Sequence, residues 1–353
     1  MTICYFGIYN PNHTRNRLNI KGLQLNNVTV LECNTREKSR SKYWQLIKLY
    51  WPLRKQTDVI IVGFPGQTVM PLAWVLAKLT GKKIIFDAFI SLYDSFVFDE
   101  KKYQPGSWQA KKYWLVDWLS CKLANIILLE VWEYANYFQQ QFHITKEKFA
   151  VVYVGCDDEI IHPLPIERTD KRFRVHFHGT YIPAQGIPTI IRGAEILAKE
   201  NIVFHLIGRQ STYGEAQELI KQSQLTNIEL VDFMPYKELA IYMAKSDVCL
   251  GMFGSTEKAA RAGAFKIIEA MAMQKPLITA DTPAIREFLK DGENALLCQI
   301  ANPQDLADKI LQLKNNSELA NKIAVNGYQT YLQYMRPSSL GKQLLGLAEK
   351  LIK

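Results

Sequence analysis

The sequence predicts an α/β protein of two tandem doubly wound domains, each a parallel sheet covered by helices, facing each other across a cleft. Three observations carry this. Short β-branched runs alternate with longer helical patterns from end to end, which means parallel strands with crossover helices, because a tight hairpin cannot close a parallel pair. A polar, proline-bearing stretch from His162 to Arg172, HPLPIERTDKR, interrupts the alternation and reads as an interdomain linker. The length of 353 residues exceeds one small core and suits two domains. The predicted units are 1–165 and 166–336, with a closing helix over 337–353 that lies back on the first domain.

In the first half, strands are expected at Thr2–Ile8, Val28–Leu31, Val59–Val62, Lys83–Asp87, Ile126–Leu129 and Ala150–Tyr153. Helices are expected at Tyr43–Leu53, Pro71–Leu79, Ser107–Leu123 and Val131–Phe142. In the second half, strands are expected at Phe173–His178, Val203–Ile207, Ile228–Val231, Val248–Leu250, Pro276–Thr279 and Ala295–Leu297. The helices between them are Ile187–Lys199, Tyr213–Gln222, Tyr236–Ala244, Phe265–Ala272, Ala284–Leu289 and Pro303–Leu313. Ligands of such folds sit at the carboxyl ends of the strands, where helix N-termini also point. The loops that follow strands are therefore where chemistry is expected.

Composition narrows the class. Hydrophobic residues at 48% and charged residues at 22% are those of a soluble globular chain, and no apolar run nears the roughly 20 residues of a membrane span. The N-terminal MTICYFGIYN reads as a buried strand and not as a signal peptide, so a cytoplasmic protein is expected. Six scattered cysteines fit neither a zinc site nor a disulfide scaffold and read as free buried thiols. His176 and His178 share a strand face, but two imidazoles fall short of a metal site and read as structural. No D-x-D occurs, so metal-independent chemistry is expected, and Asp157-Asp158-Glu159 reads as a solvated loop.

The net charge of +9 favours an anionic surface or ligand. Arg36, Lys38, Arg40, Lys42, Lys48, Arg54 and Lys55 face a single acid, Glu37, and interleave with Tyr43, Trp44, Tyr50 and Trp51. Lys101, Lys102, Lys111 and Lys112 repeat the pattern beside Tyr103, Trp108, Tyr113 and Trp114. Two arrangements fit: a segment at a membrane interface, or a helix packing its apolar face on the domain with a solvated basic face. Nucleic acid is disfavoured, since no RNA-binding signature or zinc-finger spacing accompanies the charge.

The densest chemical signal is GMFGSTEKAARAGAFKIIEAMAMQKPLITADTPAIRE, Gly251 to Glu287. It leaves a strand, crosses a small basic loop and enters a helix near Ala264, aiming backbone N–H groups and a positive helix end at one spot, as a phosphate requires. Lys258, Arg261 and Lys266 surround that spot. Glu269 follows Lys266 by three residues on the same helical face, where its carboxylate can accept two hydrogen bonds from adjacent hydroxyls. Nearer the N-terminus, GIYNPNHTRNR after the first strand suits a mobile loop whose Arg15 and Arg17 either meet an anionic acceptor or are plain surface cations. A second post-strand loop, Gly63–Gln67 with Gly66, lacks the lysine of a phosphate-binding loop.

FKIIEAMAMQKPLITADTPAIREFLKDGENALL resembles the C-terminal signature of retaining GT-B glycosyltransferases, the family 4-like glycosyl transferases group 1. HFHGTYIPAQGIPTIIRGAEIL is similar to that family's first C-domain strand, glycine-rich turn and helix. LLEVWEYANYF with FAVVYVGCDDE resembles the close of its N-terminal domain, and FDAFISLYDS its loop toward the transferred sugar. The resemblance implies two Rossmann-like domains, acceptor on the N-terminal side and nucleotide sugar on the C-terminal side. It implies Glu269 on the ribose and Ala264, Phe265 and Lys266 by the phosphates. The donor set expected is Gly179, Thr180, Arg209, Lys258, Arg261, Phe265, Lys266 and Glu269. Asp87, Asp94 and Lys266 are the catalytic candidates, although Asp94 also suits a loop cap. Arg15, Arg17 and Gly66 are the acceptor-side candidates.

Three positions depart from the family pattern. Arg261 stands where many members carry the first of two glutamates eight apart, and Thr180 and Gln185 stand where many carry an arginine and a lysine. Lys258, Arg261 and Lys266 are expected to supply the missing charge from the other loop. The implied activity is transfer of a sugar from a nucleotide-diphosphate sugar to a glycan or lipid-linked acceptor. Retention, no metal and no cofactor beyond the donor are expected, at the cytoplasmic face of an anionic membrane. A nucleotide-sugar epimerase and a non-catalytic binding protein are the alternatives on the same plan. A dehydrogenase is disfavoured by the absence of G-x-G-x-x-G after the first strand.

Overall fold

A computed structural model describes residues 1–37 and 39–352; Lys38 of the basic run and Lys353 lie outside the described residues. The chain forms two compact units, Met1–Tyr153 with Pro337–Lys353, and Val154–Arg336.

The first unit contains β1 (Thr2–Gly7), α1 (Thr14–Leu25), β2 (Thr29–Asn34), α2 (Ser41–Leu53), β3 (Val59–Val62), α3 (Met70–Thr80), β4 (Lys83–Phe89), α4 (Trp108–Leu123), β5 (Ile126–Leu129), α5 (Trp132–Phe142) and β6 (Phe149–Val151). Its sheet is parallel throughout, in the order β2-β1-β3-β4-β5-β6. Every residue of β3 is fully buried, as an apolar run between two neighbours and under helices on both faces requires.

The second unit contains β7 (Phe173–His178), α6 (Ile187–Ile196), β8 (Ile202–Ile207), α7 (Tyr213–Gln222), β9 (Ile228–Val231), α8 (Tyr236–Ala244), β10 (Val248–Leu250), α9 (Glu257–Arg261), α10 (Phe265–Ala272), β11 (Leu277–Ala280), β12 (Leu296–Cys298), α11 (Pro303–Asn315) and α12 (Ser317–Tyr334). Its parallel sheet runs β12-β11-β10-β7-β8-β9. The order reverses between β7 and β10, the switch point at which a doubly wound sheet opens a crevice for ligand.

The last helix, α13 (Pro337–Ile352), belongs to the first unit and crosses α1 backbone to backbone. A side chain at Gly22 would collide with the Pro337 carbonyl and the Gly341 backbone. Asn26 locks the crossing, its amide donating to the carbonyls of Gly22 and Ser338 at 2.8 Å each. Leu340, Leu344 and Ala348 thereby join the core of Ile3, Tyr5, Leu18 and Leu23.

Three expectations need correction. The unit boundary falls at Tyr153/Val154 and not at 165/166, because Val154, Cys156, Asp157 and Ile161 are buried within the second unit. The polar linker is itself pinned there: Arg168 donates to both carboxylate oxygens of Asp247, at 2.6 and 2.9 Å. GIYNPNHTRNR is a loop only as far as His13, and Arg15 and Arg17 lie on α1. That helix hides polar residues on its inner face, Arg15, Asn16 and Asn19, so no apolar period marks it. The helix expected at Ala284–Leu289 is only a 3-10 turn, Ile285–Glu287.

All six cysteines are free and buried. Among the described residues no helix is long and apolar enough to cross a membrane.

Candidate nucleotide-sugar site

The site is built on α10, whose sequence FKIIEAMA is buried from Lys266 to Ala272. Such a helix should be apolar all round, and burying an ionised group costs free energy unless it is partnered. Two charged residues, Lys266 and Glu269, nevertheless lie in it, each only 6% exposed. Both point toward the end of β7, at the switch point.

Lys266 meets the loop that leaves β7. Its ammonium donates to the side-chain carbonyl of Gln185 and lies 4.1 Å from the centroid of the Phe177 ring. Gly179, at φ +149°, makes this possible, since a Cβ there would stand 2.5 Å from Nζ. The loop is fixed against the one following β10: Phe253 N–H donates to the Gln185 carbonyl at 3.1 Å and Gly254 N–H to that of Ala184 at 3.3 Å. Burial pushes the Lys266 pKa down to about 7, with the Glu269 carboxylate opposing.

Glu269 lies one turn further on. One carboxylate oxygen is 2.6 Å from Nε2 of His178, and the other accepts the hydroxyl of Tyr236, the first residue of α8. An acceptor-only carboxylate fixes the His178 tautomer: Nε2 carries hydrogen. His178 Nδ1 is 2.9 Å from His176 Nε2, and His176 is held neutral by burial, with His178 and His205 adding to the effect. Burial alone would raise the Glu269 pKa. The hydrogen bond and charge of His178, the Tyr236 hydroxyl and the charge of Lys266 outweigh it and hold the carboxyl below its ordinary value.

Of the other expected donor residues, Phe265 opens α10, whose N-cap residue is Ala264. Thr180 is half-buried in the loop after Gly179. Lys258 and Arg261 lie on α9, which packs on the 3-10 turn Pro183–Gln185. Arg261 pairs with Glu257 of its own helix at 3.2 Å. Arg209 is an exposed residue paired with Asp232 at 2.8 Å and set over the Tyr213 ring.

In the first unit the structure brings two expected site residues together, but internally. Arg15 Nε lies 2.8 Å from Asp87, and their side chains are 1% and 0% exposed. Asn19 donates to the same carboxylate at 3.1 Å, and Arg15 also reaches the Val152 carbonyl at 3.2 Å. This places both as a structural pair under the sheet end and not as surface groups meeting an acceptor. Asp94 is fully buried and accepts the Tyr134 hydroxyl at 3.2 Å, while its own N–H donates to Ser91 Oγ. Arg17 is half-buried on α1, and Gly66 opens the 3-10 turn Gln67–Val69.

Sequence reasoning missed Tyr236, Asp117 and the partnership of His178. Asp117 accepts Ser91 Oγ and the Tyr93 N–H, and burial pushes its pKa up to about 7. Tyr236 carried one usable signal: it begins a helix immediately after a strand and loop, as Phe265 does.

The two parallel, helix-covered sheets define a GT-B fold, with Val154–Arg336 as its second unit. The family model for glycosyl transferases group 1 matches residues 162–330, nearly the whole of that unit. Residues 162–330 thus carry this family's domain. It is 29% identical over 182 residues to an uncharacterized glycosyltransferase of Methanocaldococcus jannaschii, covering 52% of this chain and 48% of that protein. It is 28% identical over 172 residues to the poly(ribitol-phosphate) alpha-N-acetylglucosaminyltransferase of Staphylococcus aureus, covering 47% of this chain and 33% of that protein. These matches therefore span about half or less of each relative. Anabaena HepE, solved in complex with UDP, superposes with a TM-score of 0.74 at 15% identity, over 99% of this chain and 100% of that one, which establishes the shared fold.

Proposed function

We propose that the protein transfers a sugar from a nucleoside-diphosphate sugar to a glycan acceptor, with the donor held by the second unit. The observation that carries this reading is the buried Lys266–Glu269 pair on α10, beside Gly179 and Gln185. A lysine at this place offers a charge to a departing diphosphate where the loop itself carries Thr180 and Gln185. Electrostatic stabilisation of that leaving group is the main help such a transfer needs. Glu269 offers its carboxylate to ribose hydroxyls, in the position now served by His178 and Tyr236. Lys258 and Arg261, on a helix resting against the same turn, add cationic character.

Retention belongs to this reading through the family likeness, and metal independence through the lack of any D-x-D together with the cations named. The UDP bound by HepE makes uridine the first base to test. A membrane-proximal or lipid-linked acceptor, reached at the cytoplasmic face, is supported by α2 and its flanks: Trp44 is 70% exposed and Trp51 46%, beside Lys42, Lys48, Arg54 and Lys55. Salt-sensitive flotation with anionic liposomes is its check, and a chain that stays unbound removes the membrane part alone.

The test of the activity is release of nucleoside diphosphate from a panel of nucleotide sugars, with and without acceptor glycans. Acceptor-dependent release with the anomeric configuration kept, read by NMR, supports the proposal. Donor turnover without acceptor points instead to epimerase chemistry. The replaced loop cations, Thr180 and Gln185, favour a non-catalytic binding protein as the second reading, which binding without any turnover would select.

A further inference from the structure

A second charged feature lies in the first unit, at the amino ends of β4 and β5, the end of the sheet opposite the loops that follow its strands. A cavity of about 420 Å³ opens there between the last turns of α3 and α4. Lys78, Lys82, Lys83, Lys122 and Lys148 line it, with Trp74 as a flat wall, and no acidic residue is among its lining. Among the described residues none of the five lysines pairs with a carboxylate.

Part of this clustering has a local cause. Lys148 donates to the carbonyls of Cys121, Lys122 and Ala124 at 3.3, 2.8 and 2.8 Å, capping α4, and Lys122 reaches the His143 carbonyl at 3.5 Å. The helix end explains those two, since cations are favoured at a helix C-terminus. Lys78, in the last turn of α3, has the same cause, but Lys82 and Lys83, which follow that helix on the facing wall, do not. Lys78 lies over the Trp74 ring, 5.9 Å from its centroid. Like charges gathered round one concavity repel, and a bound polyanion relieves that repulsion. Burial lowers the Lys148 pKa, with Cys121 opposing and the charge of Lys122 adding to the effect.

We propose that this cavity binds a ligand bearing clustered phosphate charge, at a site separate from the nucleotide-sugar site. Lysine is a point-charge partner for phosphate oxygens, and several in one concavity select multiple negative charge. Two sources have this chemistry. One is a soluble oligophosphate. The other is an anionic lipid headgroup, for which the exposed apolar side chains on the outside of α3, Leu79 at 69% and Val75 at 45%, supply a rim that can enter the interface.

The experiment uses the full chain with inorganic tripolyphosphate in calorimetric titration, and separately with phosphatidic acid–phosphatidylcholine vesicles in cosedimentation. Both are run at about 0.1 M salt so that only close charges count. The variant Lys78→Gln/Lys82→Gln/Lys83→Gln is compared with a control of equal charge change at exposed lysines of the second unit, Lys171→Gln/Lys199→Gln/Lys221→Gln. The wild type and the control bind at least one probe, and the cavity variant binds it at least about tenfold more weakly. Tripolyphosphate alone bound identifies a soluble ligand, and vesicles alone a headgroup; either outcome supports the cavity. Binding lost equally in both variants shows diffuse charge, and binding unchanged in the cavity variant shows capture elsewhere, Lys266 included. Either result, or no binding of either probe by the wild type, overturns the proposal. Protection of Lys78, Lys82 and Lys83 from acetylation by tripolyphosphate reads the same site without any substitution. No sugar or nucleotide enters these measurements, so their failure leaves the transferase reading untouched.

Discussion

His178 Nε2 stands 2.6 Å from a carboxylate oxygen of Glu269, joining the last residue of β7 to the middle of α10. With Tyr236 on the second oxygen, this contact holds a buried carboxylate ionised and aimed at the switch point of the sheet. Glu269→Ala removes it. The titrated affinity for a nucleoside diphosphate should fall about tenfold to a hundredfold, the worth of hydrogen bonds to a charged group.

Acidification probes the same carboxyl. Its folded pKa lies below the ordinary 4.5, so its contribution to stability is complete above that pH and is lost as pH falls through the folded value. Between pH 7 and 5 the wild type and Glu269→Gln should show parallel stabilities in urea unfolding. Below about 4.5 the wild type should lose stability faster than the variant. A variant curve that steepens equally would mean that Glu269 is not the group titrating.

Lys266 carries the opposite linkage. Its folded pKa, about 7, is depressed from 10.5, so between these values the unfolded chain binds more protons and stability rises with pH. Lys266→Met should therefore stabilise the unit at neutral pH while weakening diphosphate binding. A diphosphate that meets the ammonium raises its pKa again, so binding should take up a proton above pH 7. Calorimetry in two buffers of different ionisation enthalpy reads that uptake, and Lys266→Met should abolish it.

Gly179→Ala tests the space that Lys266 occupies. The new Cβ is strained at φ +149° and meets the ammonium, so Lys266 must leave its place by Gln185. Donor affinity should fall at least about tenfold, whereas the hydrogen-exchange protection of β3 and β4 in the first unit should not change.

Arg15 and Asp87 give a prediction about stability and not about turnover. Each is buried against the other, so Asp87→Asn or Arg15→Met alone should destabilise the first unit by about 3–5 kcal/mol, and the double change by less than the sum. Guanidinium unfolding of the four proteins closes the cycle. Additive losses would show that the two side chains do not depend on one another.

The central strands of the first sheet were legible because buried parallel strands are short continuous apolar runs: Val59–Val62 and Ile126–Leu129 occupy the positions that their residues predict. Lys266 and Glu269 were legible as charged residues one turn apart in an otherwise apolar helix. What stayed hidden depends on long-range partners. The polar inner face of α1 makes sense only once Asp87 and the Phe64 backbone face it, 72 and 48 residues along the chain. Tyr236 meets Glu269 across 33 residues, and no spacing rule joins them. The same blindness let Arg15 be read as an acceptor contact and Asp87 as a separate catalytic carboxylate.

The most direct test is a thermal-shift panel of UDP, GDP and ADP with their common sugar conjugates, on the wild type and on Glu269→Ala. A ligand at about a hundred times its dissociation constant adds roughly 2.7 kcal/mol to stability. The account predicts a clear upward shift with one base, lost in the variant. No shift with any nucleotide, or a shift that Glu269→Ala retains in full, would contradict a donor site built on α10.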